Sequence, residues 1–99
     1  MSLEENFEKE LIENIKKAEK DFNCPQKKLL LTIEKFGALK TSKEILRKRK
    51  LSEGFYKLKE AKALELTMES TIVLEKYGSL FTDEEVNSCH EILCENGYY

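Results

Sequence analysis

Ninety-nine residues, 36% charged and 40% hydrophobic, suit one folded domain with a heavily charged surface and exclude a disordered chain. A net charge of -2 and a pI near 5.6 stand well below the basic balance of about 9 typical of a nucleic-acid domain. No apolar run reaches the roughly 18 residues needed to cross a bilayer, and the acidic start lacks a signal peptide's basic and apolar stretches, so the expectation is a cytoplasmic protein with no membrane partner.

In chain order, Leu3, Phe7, Leu11, Ile15, Ala18 and Phe22 recur every three or four residues, with Ile12 beside them. That spacing predicts an amphipathic helix over residues 1–22, its stripe turned either to its own domain or to a second copy. Acid-first pairs such as Glu5–Lys9 and Glu13–Lys17 add only a few tenths of a kcal/mol each, so packing must hold this helix. Asn23-Cys24-Pro25 breaks it, because Pro removes a donor and restricts the residue before it.

A second helix is predicted from Gln26 to Phe36, with Leu29, Leu30, Ile33 and Phe36 inside and Gly37 as the left-handed residue that ends it. Thr41-Ser42-Lys43-Glu44 has capping-box spacing and predicts a third helix starting at Thr41 and running to Lys50. Ser52-Glu53-Gly54 reads as a turn before a short helix that buries Phe55 and Leu58. Thr67 is an expected N-cap for a helix to Tyr77, ended by Gly78, with Met68, Ile72 and Val73 inside. Thr82-Asp83-Glu84-Glu85 is a second capping box, and Val86, Cys89, His90 and Leu93 follow at helical spacing until Gly97. The expected fold is all-α: a bundle of four or five short helices in one domain over residues 1–99, with residues 26–99 forming a helical module.

From Leu29 onward the sequence resembles a helical module of uncharacterised bacterial proteins. The matching pieces are Phe36-Gly37-Ala38, Ile45-Leu46, Ser52-Glu53-Gly54-Phe55, Leu64-Glu65-Leu66-Thr67-Met68-Glu69, Leu80-Phe81-Thr82-Asp83-Glu84-Glu85 and the closing Gly97-Tyr98. That module usually carries a Trp near Phe55–Glu60 and an Arg-rich last helix, whereas this chain has no Trp and only acidic charges after Lys76. The resemblance implies a helical fold and an accessory, non-catalytic role.

No constellation of residues specifies an active site. The three cysteines, Cys24, Cys89 and Cys94, read as reduced thiols. Structural zinc needs four converging ligands, but Cys89 and Cys94 sit about 140° apart on a helix and no C-x-x-C pair exists. His90, the one histidine, adjoins Cys89 and points about 100° away, which leaves a Cys24–His90 pair across the fold as the remaining nucleophile–base arrangement. Asp83-Glu84-Glu85 is better explained as a helix start than as an acid–base pair, and the four glycines are too scattered for a phosphate loop. The expectation is a protein that is not an enzyme and takes neither metal nor cofactor.

The charge is unevenly spread. Residues 40–62 hold nine basic and three acidic side chains, a surplus of six, while the rest holds eight basic and sixteen acidic, a deficit of eight. Lys43, Arg47, Lys48, Arg49, Lys50, Lys57 and Lys59 are therefore the candidate surface for an acidic protein partner or a nucleic acid. The first reading is an interaction or regulatory module with an unidentified protein partner. A homodimer would bring the basic face of one copy to the acidic face of another. The alternative is a DNA-binding regulator in which residues 26–50 form a helix-turn-helix unit presenting Ser42, Lys43, Arg47 and Lys50.

Overall fold

The computed structural model describes residues 2–99 and is all-helical, with no strand among them. Six α-helices occur: α1 (Leu3–Phe22), α2 (Lys27–Phe36), α3 (Ala38–Arg47), α4 (Phe55–Glu60), α5 (Met68–Ile72) and α6 (Asp83–Glu95). These six already exceed the four or five helices expected, and two 3₁₀ segments, Leu64–Leu66 and Glu75–Leu80, add to them.

α1 is the element on which the others are laid. Ser2 and Glu5 form a reciprocal capping box at its start, and Asn23 ends it in a left-handed conformation. Its stripe of Phe7, Leu11, Ile15 and Ala18 is wholly or almost wholly buried within this chain, which closes the choice between its own domain and a second copy. Phe7, Leu11 and Ile15 pack with Leu29 and Ile33 of α2, Met68 and Ile72 of α5, and Tyr77 and Phe81. The Phe7 ring meets Tyr77 and Phe81 edge-on, both with centroids 5.3 Å away, so the positive ring edges face the negative ring faces. Smaller clusters form around Ala18, Cys24 and Leu58, and around Phe55, Leu64 and Leu93.

The reversal between α2 and α3 departs from the sequence expectation. Gly37 alone makes the turn, at φ 87° and ψ 154°, a region that only glycine occupies without strain and that is not the left-handed helical one. α3 therefore begins at Ala38 rather than Thr41. The cap comes from α1: Glu8 accepts the Ala38 amide proton at 2.8 Å, placing a carboxylate at the helix N-terminus. Thr41 lies inside the helix, buried, and its hydroxyl donates to the Thr32 carbonyl of α2 at 3.3 Å. Ser42 is wholly buried, so it is not presented at the surface, and its hydroxyl has no hydrogen-bond partner. Small residues at Ala38, Thr41 and Ser42 line the inner side of α3, where α1 and α2 lie against it.

Two further corrections concern helix length and facing. Thr67 does cap α5, accepting from the Ser70 amide, but the α-helix stops at Ile72 and the chain reaches Tyr77 through 3₁₀ geometry. That change of pitch sets the Tyr77 ring against Phe7 while its hydroxyl donates to Glu10 at 2.7 Å. Phe36 is not an inner residue, since 56% of it is exposed. The Thr82–Glu85 capping box, the burial of Phe55 and Leu58, and the turn at Gly97 match expectation.

Substitution separates the roles of the two neighbouring small residues. Gly37→Ala forces a side chain into positive φ and should cost about 1–3 kcal/mol in urea denaturation. Ser42→Ala removes a buried hydroxyl that bonds nothing and should leave stability unchanged or higher; a loss above about 1 kcal/mol would mean that the hydroxyl is in fact paired.

Candidate functional site

The seven basic residues singled out in the sequence do not form one surface. Lys43 is engaged within the chain: its ammonium lies 2.8 Å from Glu85 Oε1 and 5.2 Å from the centre of the Phe81 ring, tying α3 to α6. Burial raises the Glu85 pKa, but the Lys43 and Thr82 hydrogen bonds outweigh it and hold the carboxyl below the usual range. Lys57 donates to the Asn23 carbonyl at 2.6 Å, satisfying the end of α1, and Lys59 donates to Asn96 at 3.0 Å beyond α6. Arg47 and Lys48 both pair with Glu44 on their own helix. Arg49 turns the chain out of α3 with a left-handed φ of 56°, and neither Arg49 nor Lys50 has a side-chain hydrogen bond or ion pair among the described residues.

This basic turn faces acids of its own chain. Arg47, Arg49 and Lys50 line one side of an open cleft of about 710 Å³, and Glu84, Glu85, Glu91 and Glu95 of α6 line the other. A phosphate backbone approaching Arg49 would therefore also approach carboxylates, and part of the charge asymmetry is matched within the fold.

A second concavity has a different character. α2 and α3, joined at Gly37, enclose a groove of about 460 Å³. Its floor is Leu29, Thr32, Phe36, Thr41 and Ile45, and its rim carries Lys28, Lys40, Lys48 and Lys50. Lys40 sits over the exposed Phe36 ring at 5.5 Å, keeping an aromatic face accessible beside a cation. The acids at this rim are already engaged. Glu44 is held by Arg47, whose hydrogen bond keeps its carboxyl below the ordinary range, and Glu53 accepts the Leu29 amide proton at 2.9 Å near the start of α2. Sequence reasoning missed this groove because it gave Phe36 to the core. A signal existed: residues 29–36 carry Leu29, Leu30, Leu31, Ile33 and Phe36, more apolar side chains than one buried face of a ten-residue helix uses. Leu31 is 54% exposed accordingly.

The loop at the groove mouth is anchored from beneath. Glu69 is wholly buried, and its two carboxyl oxygens accept the Ser52 amide at 2.9 Å and the Ser52 hydroxyl at 2.7 Å. Ser52 lies two residues from Lys50, so this carboxyl holds one corner of the rim. Burial raises the Glu69 pKa, and the Ser52 bonds act in the opposite direction. The sequence offers no local sign of this pair.

Other reactive groups are separated. Cys24 Sγ points at the Gly54 carbonyl 3.8 Å away, whereas His90 is exposed against the Tyr99 ring. Burial pushes the Cys89 thiol up to about 12 and raises the Cys24 thiol, so both stay protonated, opposite to what a nucleophile needs. No three His, Cys, Asp or Glu side chains among the described residues converge as metal ligands, and no helix among them is long and apolar enough to cross a membrane.

The raised Glu69 pKa fixes a pH dependence. Above its ordinary value of 4.5, the unfolded chain releases this proton while the folded chain still holds it. The Glu69 contribution to stability is therefore largest at low pH and declines as pH rises from 4.5 towards the folded value. Urea denaturation of wild type and Glu69→Gln at about pH 5, 6.5 and 8 should show the variant gaining on wild type as pH rises. A pH-independent difference would remove Glu69 as the source.

No protein-family profile, curated protein or solved structure matches the chain.

Proposed function

We propose that the chain is a non-enzymatic interaction module that docks an acidic segment of another protein into the groove between α2 and α3. One observation carries this reading: an accessible apolar floor, with the half-exposed Phe36 ring at its head, is bordered by four lysines. Apolar floors with a polar rim are the anatomy of protein-binding sites, where the buried aromatic supplies affinity and the rim supplies orientation and charge selection. The buried Cys24 and Cys89 thiols, both raised by burial, supply no competing nucleophile.

Nucleic-acid binding is the second reading, favoured by Arg47, Arg49 and Lys50 at one turn. Three features weigh against it. Ser42 is buried and Lys43 is paired with Glu85, Glu44 lies in the middle of the outer face of α3, and the α6 carboxylates face the basic turn. A single glycine between α2 and α3 is also shorter than the three- or four-residue turn of a helix-turn-helix unit.

A display selection with random peptides of about 16 residues, run in parallel on wild type and Phe36→Asp, tests the reading; such a peptide, about four and a half helical turns or about 24 Å, exceeds the groove length. Enrichment of peptides that bind wild type and are lost on Phe36→Asp is the expected result. Failure to enrich any peptide, together with duplex DNA binding that weakens by orders of magnitude between about 50 and 200 mM salt, would replace it with the nucleic-acid reading.

A further inference from the structure

We infer that the occupant of the α2–α3 groove is an acidic amphipathic helix of about three turns, with carboxylates at positions i and i+7 flanking apolar residues at i+3 and i+4; this rests on the docking reading above.

The shape of the groove comes first. Both walls are ten-residue helices, each about 15 Å long. Lys28, Thr32 and Phe36, spaced by four, form a ridge that runs from the rim onto the floor along α2, and Lys40, Glu44 and Lys48 form another along α3 and its end. A furrow between two such ridges is the surface into which a third helix packs its own row of side chains. Addition of an extended peptide as a further strand would need a sheet edge with open backbone groups, and the described residues contain no strand.

The charges then select among helices. Lys40 and Lys48, the latter just past the end of α3, are eight residues apart, about 12 Å along the helix axis, and both border the groove. Carboxylates at i and i+7 on a partner helix are about 10.5 Å apart, so each can reach one lysine. Apolar residues at i+3 and i+4 fall between them on the same side, opposite Ile45 and the Phe36 ring. Glu44 occupies the middle of this ridge, paired with Arg47 and Lys48. It disfavours a third carboxylate between the two, and it disfavours a polyanion with an unbroken row of charges. The specificity is thus acid, apolar pair, acid.

The test uses the full-length, isotope-labelled protein and three synthetic peptides of about five turns, followed by amide NMR shifts. The first is a Leu/Ala helix with Glu at i and i+7. The second has those Glu changed to Lys, and the third keeps both Glu but has two central residues changed to Pro, which breaks the helix. The acidic helix should shift the amides of Phe36, Thr41 and Ile45 and bind at least about tenfold more tightly than either of the others. Lys40→Glu with Lys48→Glu, both at the surface, should cost about tenfold against the acidic helix and restore binding to its Lys counterpart. Equal or tighter binding of the proline-broken peptide at the same amides overturns this inference and leaves the docking reading standing, whereas equal or tighter binding of the Lys peptide overturns both, because the docking reading also requires an acidic segment. No groove shift with any of the three, where selected peptides do bind there, overturns the inference alone. No groove shift with synthetic or selected peptides overturns both.

Discussion

The single-residue reversal at Gly37 is the constraint on which the site depends. A backbone at φ 87° and ψ 154° joins two ten-residue helices with no intervening loop. The groove lies between the two helices so joined. It is locked from behind by α1, whose Glu8 bonds the first amide of α3 and whose stripe buries the inner sides of both helices. A longer loop would let α3 rotate about its axis. A three-residue shift in helix start corresponds to about 300° of rotation in which residue faces the core. Ser42 would then leave the interior and Phe36 would lose the lysine above it.

The groove mouth is held by two carboxylates acting from different sides. Glu53 fixes the loop to α2 through the Leu29 amide, and Glu69 fixes it to α5 through Ser52. The second arrangement costs desolvation of a buried acid, which two hydrogen bonds only partly offset, and the raised pKa records that imbalance. The result is a fixed position for Lys50 at the end of an otherwise charged, solvated turn. The basic turn beyond α3 thus meets the acids of α6 on one side, while on the other the groove lysines border an apolar floor, with Lys50 lining both concavities.

Much of the fold was legible because its signals are local. The period of α1, the Pro25 break, the Thr67 and Thr82 caps and the burial of Phe55 and Leu58 all depend on residues within one or two turns of each other. The errors share a different origin. Thr41-x-x-Glu44 has the spacing of a capping box, yet a carboxylate thirty residues earlier in the chain caps α3 instead, and Glu44 turns to Arg47. α5 stops early because Tyr77 must meet both Phe7 and Glu10, partners in α1 that no local pattern names. For the site, composition located the basic segment correctly but not its use. Lys43, Lys57 and Lys59 are spent on Glu85, Asn23 and Asn96, and only the packed chain shows that Lys28 and Lys40 share a groove with Phe36.

Amide hydrogen exchange across residues 38–48 tests the geometry behind this account most directly. A helix starting at Ala38 has its first internal bond from the Thr41 amide to the Gly37 carbonyl, at 3.1 Å. Thr41, Ser42, Lys43 and Glu44 should therefore exchange slowly, and Ala38 should be protected in wild type but not in Glu8→Ala. Fast exchange at Ser42, Lys43 and Glu44, with protection beginning at Ile45, would place the helix start at Thr41, undo the reversal at Gly37 and contradict the groove itself.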